Sequence, residues 1–160
     1  MKKISKIVVL VLILTMVLAM TACGKKEEAK GTPAEQLVEL FKANAGSYSD
    51  VEALIKKIHD ESQDIVPIMT DAFKIEEGMY IEGFDTEITG YKNAAVIKSM
   101  MGVQPYIVYV FEVDNPDAFK KTLEDNANKR WNICTEADEM MAEVSGNFVF
   151  FVMAPASFDD

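Results

Sequence analysis

Histidine and cysteine are nearly missing from this chain of 160 residues: His59 is the one histidine, and Cys23 and Cys134 are the two cysteines. A zinc centre built on several histidines is excluded, and no His-Glu-x-x-His pattern occurs. The Gly-x-Ser-x-Gly elbow, the Walker A loop and the Gly-x-Gly-x-x-Gly turn are also absent, which removes the common signatures of acyl transfer and phosphate cradling. Basic residues are few, 16 against 26 acidic, for a net charge of −10. A polybasic nucleic-acid binder is excluded, because phosphate contacts need clustered Lys and Arg. The length argues against a multidomain enzyme, since one domain takes ~100–200 residues. Disorder throughout does not fit a hydrophobic content of 49%.

Acidic residues are wholly lacking from the first 22 positions, which carry Lys2, Lys3 and Lys6. Residues 7–24 then run without a charge. A positive start followed by an apolar run is the pattern of a secretory signal peptide. The run approaches the ~20 residues of a bilayer span, so an uncleaved anchor is the alternative. The ending Met20-Thr21-Ala22-Cys23-Gly24 resembles the lipobox of bacterial lipoproteins. That resemblance implies that residues 1–22 are cleaved off, that the Cys23 thiol carries a diacylglyceryl group, and that the new amine is acylated. Both alternatives keep the lysines cytoplasmic and export the rest. The expected location is therefore the extracytoplasmic face of the cell membrane, held by a lipid anchor.

Residues 23–31 form the lipidated cysteine and a short polar tether, and residues 32–160 form a single domain. From Gly31 onward the chain has 10 basic and 24 acidic residues, a balance of −14. An anionic membrane surface repels such a domain, so it stands off the bilayer. With Cys23 lipidated, Cys134 has no intramolecular partner and reads as a small buried hydrophobe.

Thr32-Pro33-Ala34-Glu35 is a capping box with proline at the first helical position, and Leu37, Leu40 and Phe41 share one face behind it. Ser49-Asp50-Val51-Glu52 repeats the box, followed by Val51, Leu54, Ile55 and Ile58 at helical spacing. Residues 62–85, broken by Pro67, Gly78 and Gly83, read as irregular with a short strand near Tyr80. Residues 91–100 and 105–113 read as strands joined by a hairpin loop, the second apolar on both faces and so covered on both sides. Asn115-Pro116 opens a helix, and residues 140–144 and 148–152 flank Gly146-Asn147, which suits a type II′ turn. The fold class is α+β: leading helices, then strand-strand-helix-strand-strand with an antiparallel sheet.

Few groupings suggest chemistry. Residues 85–90 place oxygen-bearing side chains at positions 1, 3 and 5 and Gly at 6 of a calcium-loop pattern, but Val96 occupies the twelfth position, so a turn is the better reading. His59 reads as part of a solvated helix end, and nothing local supports a Cys134–His59 dyad. The pairs Met100-Met101 and Met140-Met141 border expected strands and read as core filling, against an adaptable binding surface or a soft Cu(I) site. Trp131, Tyr106 and Tyr109 read as core aromatics. Carboxylates are too many for spacing to select a catalytic pair. No catalytic, metal or cofactor residue is assigned; Cys23 alone carries a site assignment, lipidation.

Residues 108–113, Asp117-Ala118-Phe119-Lys120 and residues 144–152 resemble a family of small lipoproteins of clostridial-type bacteria with a C-terminal domain of unknown function. The similarity is best over residues 91–155. It implies a location and a fold, and supplies neither substrate nor catalytic residue. The expectation is a non-enzymatic binding or scaffolding module, anchored in the membrane, whose partner is an envelope protein. The alternative is a lipoprotein that binds a small ligand or a divalent cation.

Overall fold

The computed structural model describes residues 31–132 and 134–158, which belong to one compact unit beginning at Gly31. The expected signal peptide, Cys23 and the tether up to Lys30 lie outside the described residues. Helix α1 spans Pro33–Ala45 and α2 Val51–Glu61; strands β1 (Thr70–Lys74), β2 (Asn93–Ser99) and β3 (Ile107–Glu112) follow. Helix α3 (Pro116–Asn126) then leads to β4 (Glu139–Ser145) and β5 (Phe148–Ala154). The strands form one antiparallel sheet of order β1-β2-β3-β5-β4, so the fold is α+β. Among the described residues no helix is long and apolar enough to cross a membrane.

The α1 capping box is present on both sides. Thr32 Oγ1 accepts from the Glu35 amide at 3.3 Å, and Glu35 Oε2 accepts from the Thr32 amide at 3.0 Å. At α2 the cap is Asp50 and not Ser49: Asp50 Oδ1 accepts from the Ala53 amide at 2.9 Å. A carboxylate at this end gains from the helix dipole as well as from the hydrogen bond, which a hydroxyl does not.

Residues 62–85 depart from expectation at two places. Thr70–Lys74 is an edge strand, although only Ala72 and Phe73 in it are apolar. Its pairing with β2, from Thr70↔Ser99 to Lys74↔Ala95, supplies what its own pattern does not announce. Tyr80 is in no strand, and it is 72% exposed.

Period-two alternation along the central strands divides the interior into two cores. Val108 and Val110 of β3, with Phe148, Phe150 and Val152 of β5, meet Leu37, Phe41, Leu54, Ile55 and Ile58 of the two leading helices. Phe41 and Phe150 stack with ring centres 5.1 Å apart. Tyr109 and Phe111, with Val149, Phe151 and Met153, meet Phe119 and Leu123 of α3 and the loop residues Ile81, Phe84 and Ile88. Every β5 residue is buried, in keeping with cover on both faces. Each large side chain so buried contributes about 1.5–3 kcal/mol. The ion pairs, such as Lys56–Glu52 and Lys121–Asp125, are solvent-exposed and add little beside that.

The β4–β5 turn is type II′ as expected. Ser145 pairs with Phe148, Gly146 has φ +61°, and no described non-glycine residue has positive φ, which leaves Asn147 on the negative side.

Candidate functional site

The sheet face away from α1 and α2 is covered unevenly. Helix α3 packs on β4 and β5, whereas β1 to β3 are overlaid by residues 75–91, 127–132 and 134–138, which have no regular structure beyond one isolated bridge, Phe84↔Ala127. Hydrogen bonds pin these segments at separate points. Asn128 N–H donates to the Gly83 carbonyl at 2.9 Å, and Asp85 N–H to the Asn126 carbonyl at 2.9 Å. Thr135 Oγ1 donates to the Val103 carbonyl at 2.9 Å, tying the second segment to the β2–β3 loop. Between the pins remains a groove of about 630 Å³.

Phe73 of β1, Lys98 of β2 and Ile107 at the start of β3 line it from the sheet. Lys98 Nζ stands 2.9 Å from Glu82 Oε1 and 6.0 Å from the centre of the Phe73 ring. Glu82 is itself held in place, because the Tyr109 hydroxyl donates to its carbonyl at 3.1 Å. Burial first, and then the nearby Glu82 charge, push the Tyr109 phenol far above its ordinary value, so it stays a donor. Met100, Met101 and Gly102 of the β2–β3 loop form one wall, and Trp131, Asn132 and Cys134 another; Asp71 also lines the space. The Ser99 hydroxyl shapes the loop, donating to the Met101 carbonyl at 2.9 Å and accepting from the Met101 amide at 3.0 Å.

Two expectations are corrected here. Cys134 is exposed on the groove wall and is not a core residue, because it lies in a turn where strand and helix periodicity do not apply. Met100 and Met101 are 64% and 53% exposed, since the chain bends at these two residues, just beyond Ser99, the last paired residue of β2. Met140 and Met141 pack into opposite cores, and that pair fills as expected. Tyr106 and Tyr109 are buried, again one in each core, while Trp131 is half-buried beside the groove.

His59 is not part of a solvated end: its ring is largely covered and its Nε2 lies 2.9 Å from Thr70 Oγ1, because the neighbouring edge strand runs past the helix terminus. It sits on α2, on the opposite side of the sheet from the groove face, so no pairing with Cys134 forms. Asp85 acts as a strut, its Oδ1 accepting from Asn128 Nδ2 at 2.8 Å, and Ile88 is buried, as in a turn leading into the sheet. Among the described residues no group of three or more His, Cys, Asp and Glu is placed to hold a metal ion.

A second cleft of about 760 Å³ opens between residues 74–81 and 87–94. It is a crevice between two loop arms carrying Glu76, Glu77 and Glu87, with neither tryptophan nor a thioether pair. The groove beside Trp131 is therefore the candidate site: it sets the exposed pair Met100-Met101 and the indole beside the Lys98–Glu82 ion pair. No family model, no curated protein and no solved structure matches the chain.

Proposed function

We propose that this protein is a lipid-anchored, non-enzymatic binding module at the extracytoplasmic face of a bacterial cell membrane. Cys23 is the anchored residue, and the groove beside Trp131 is the surface offered to a partner. The lipobox-like ending at Cys23, behind an uncharged run and three lysines, supports the anchoring. The exposure of Met100 and Met101 on the groove wall is the observation that carries the binding role. Thioethers are flexible and polarisable, and a water-facing pair of them beside an indole is the composition of a contact surface. A chain held to the membrane meets its partners at raised local concentration, which lets a modest groove suffice.

A crosslinking pull-down of the lipidated protein from its own cells, with Cys23→Ala as comparison, tests this. One stoichiometric protein partner, lost with the anchor, is the expected result. Recovery of no protein would overturn the partner-binding role in favour of a small ligand. Absence of the diacylglyceryl mass from Cys23 in protein recovered from the membrane fraction would overturn the anchoring.

A further inference from the structure

The groove's own chemistry narrows what can sit in it. Its charged lining is Asp71, Glu82 and Lys98, one more negative than positive group. Lys98 is held by Glu82 at 2.9 Å, while Asp71 makes no ion pair among the described residues. Around it lies a domain with 10 basic against 24 acidic residues, so the field at the groove favours positive partners. A second copy of the chain brings the same excess of negative charge and is repelled, as is an anionic bilayer. The walls offer Met100, Met101 and Trp131, which mould around apolar side chains of varied shape.

We propose that the groove docks a basic amphipathic segment of another protein, its apolar side chains against Met100, Met101 and Trp131 and its Lys or Arg ends toward Asp71 and the acidic surface. This rests on the reading of the chain as a binding module, and it adds the chemistry of the partner. The combination needed is an acidic domain and a thioether surface in one place, and neither alone selects this class of ligand.

Trp131 is the chain's single tryptophan and lines the groove, so its fluorescence reports occupancy directly. The mature chain without its leader, residues 24–160, suits the measurement, because both cores are built within residues 34–158. It is titrated with a Trp-free peptide of Leu and Lys in helical pattern, ~14 residues or about four turns, and with the same peptide carrying Glu in place of Lys. The Leu/Lys peptide is expected to give a saturable blue shift of Trp131, and the Leu/Glu peptide none. The double variant Met100→Gln/Met101→Gln keeps the net charge and is expected to bind about tenfold more weakly, as for loss of a central contact. Silence of Trp131 with both peptides, an equal response to both, or unchanged affinity in the double variant would each overturn the proposal. A partner recovered by crosslinking while the Leu/Lys peptide fails would leave the binding module standing and remove only the basic segment.

Discussion

One sheet is closed on its two faces by different means. On one face α1 and α2 lay down side chains at helical spacing and seal the surface from Phe148 to Ala154. On the other, α3 seals only the β4–β5 half, and residues 75–91, 127–132 and 134–138 return over the rest. A helix presents a continuous apolar stripe, whereas a loop touches down where its hydrogen bonds fall. Phe84 packs on Phe151 at 4.9 Å and on Tyr109 at 6.1 Å, but between that contact and Trp131 the floor stays open. The groove is thus a consequence of covering a sheet with loops, and the well-sealed face is what holds its floor rigid.

The difference can be broken in graded ways. The largest effect is expected for Phe150→Ala, which empties the stack with Phe41 between rigid elements and costs about 3–5 kcal/mol, read as a lower urea midpoint. Phe84→Ala on the loop face is expected near ~3 kcal/mol, since a loop can partly collapse into the space; equal losses would mean that the loops are as stiff as the helices. Alkali comes next. Burial raises the Tyr106 and Tyr109 phenols far above their ordinary value, one in each core. The unfolded chain loses those protons near pH ~10 while the folded chain keeps them, so stability holds below that pH and falls above it. Absorbance at the tyrosinate band and circular dichroism are expected to show both ionising only with unfolding. Ionisation of Tyr109 ahead of unfolding would show the loop face opening by itself.

Gly83→Ala is expected to cost about 1–3 kcal/mol. Gly83 has φ +93°, and an added Cβ would lie 2.7 Å from Met153 Cε. The two buried tyrosines offer a smaller and opposite pair. The Tyr106 hydroxyl has no hydrogen-bond partner among the described residues, so Tyr106→Phe is expected to stabilise by ~1 kcal/mol. Tyr109→Phe strands the Glu82 carbonyl and is expected to destabilise by about as much. Met100→Gln/Met101→Gln is expected to shift stability by less than ~0.5 kcal/mol, because exposed side chains support neither core. A larger loss in thermal melting would place those methionines in the fold and not on the groove.

Much of the fold was legible where local signals agree. Thr32-Pro33-Ala34-Glu35, the helical spacing from Val51 to Ile58 and Gly146-Asn147 each carry their geometry in neighbouring residues, and their elements lie where expected. Strand β1 was not legible, because Thr70–Lys74 is stabilised by register with Ala95–Ser99 and not by a pattern of its own. Asp50 displaced Ser49 as a cap for a reason of one residue, which lies within the ambiguity of adjacent capping side chains. The site was the least legible part. Cys134 and Met100-Met101 were expected in the core because hydrophobic side chains usually are, and only the bends around them turn them to water.

By itself the sequence determined the uncharged run over residues 7–24, the acidic balance of the domain and the alternation that gives β3 and β5 two apolar faces, since each depends on residue types at short separation. Tertiary structure alone decided that Phe73, Lys98, Met100 and Trp131 share one groove. These residues are brought together by strand register and by hydrogen bonds such as Thr135 to Val103, contacts between distant segments that no local pattern encodes.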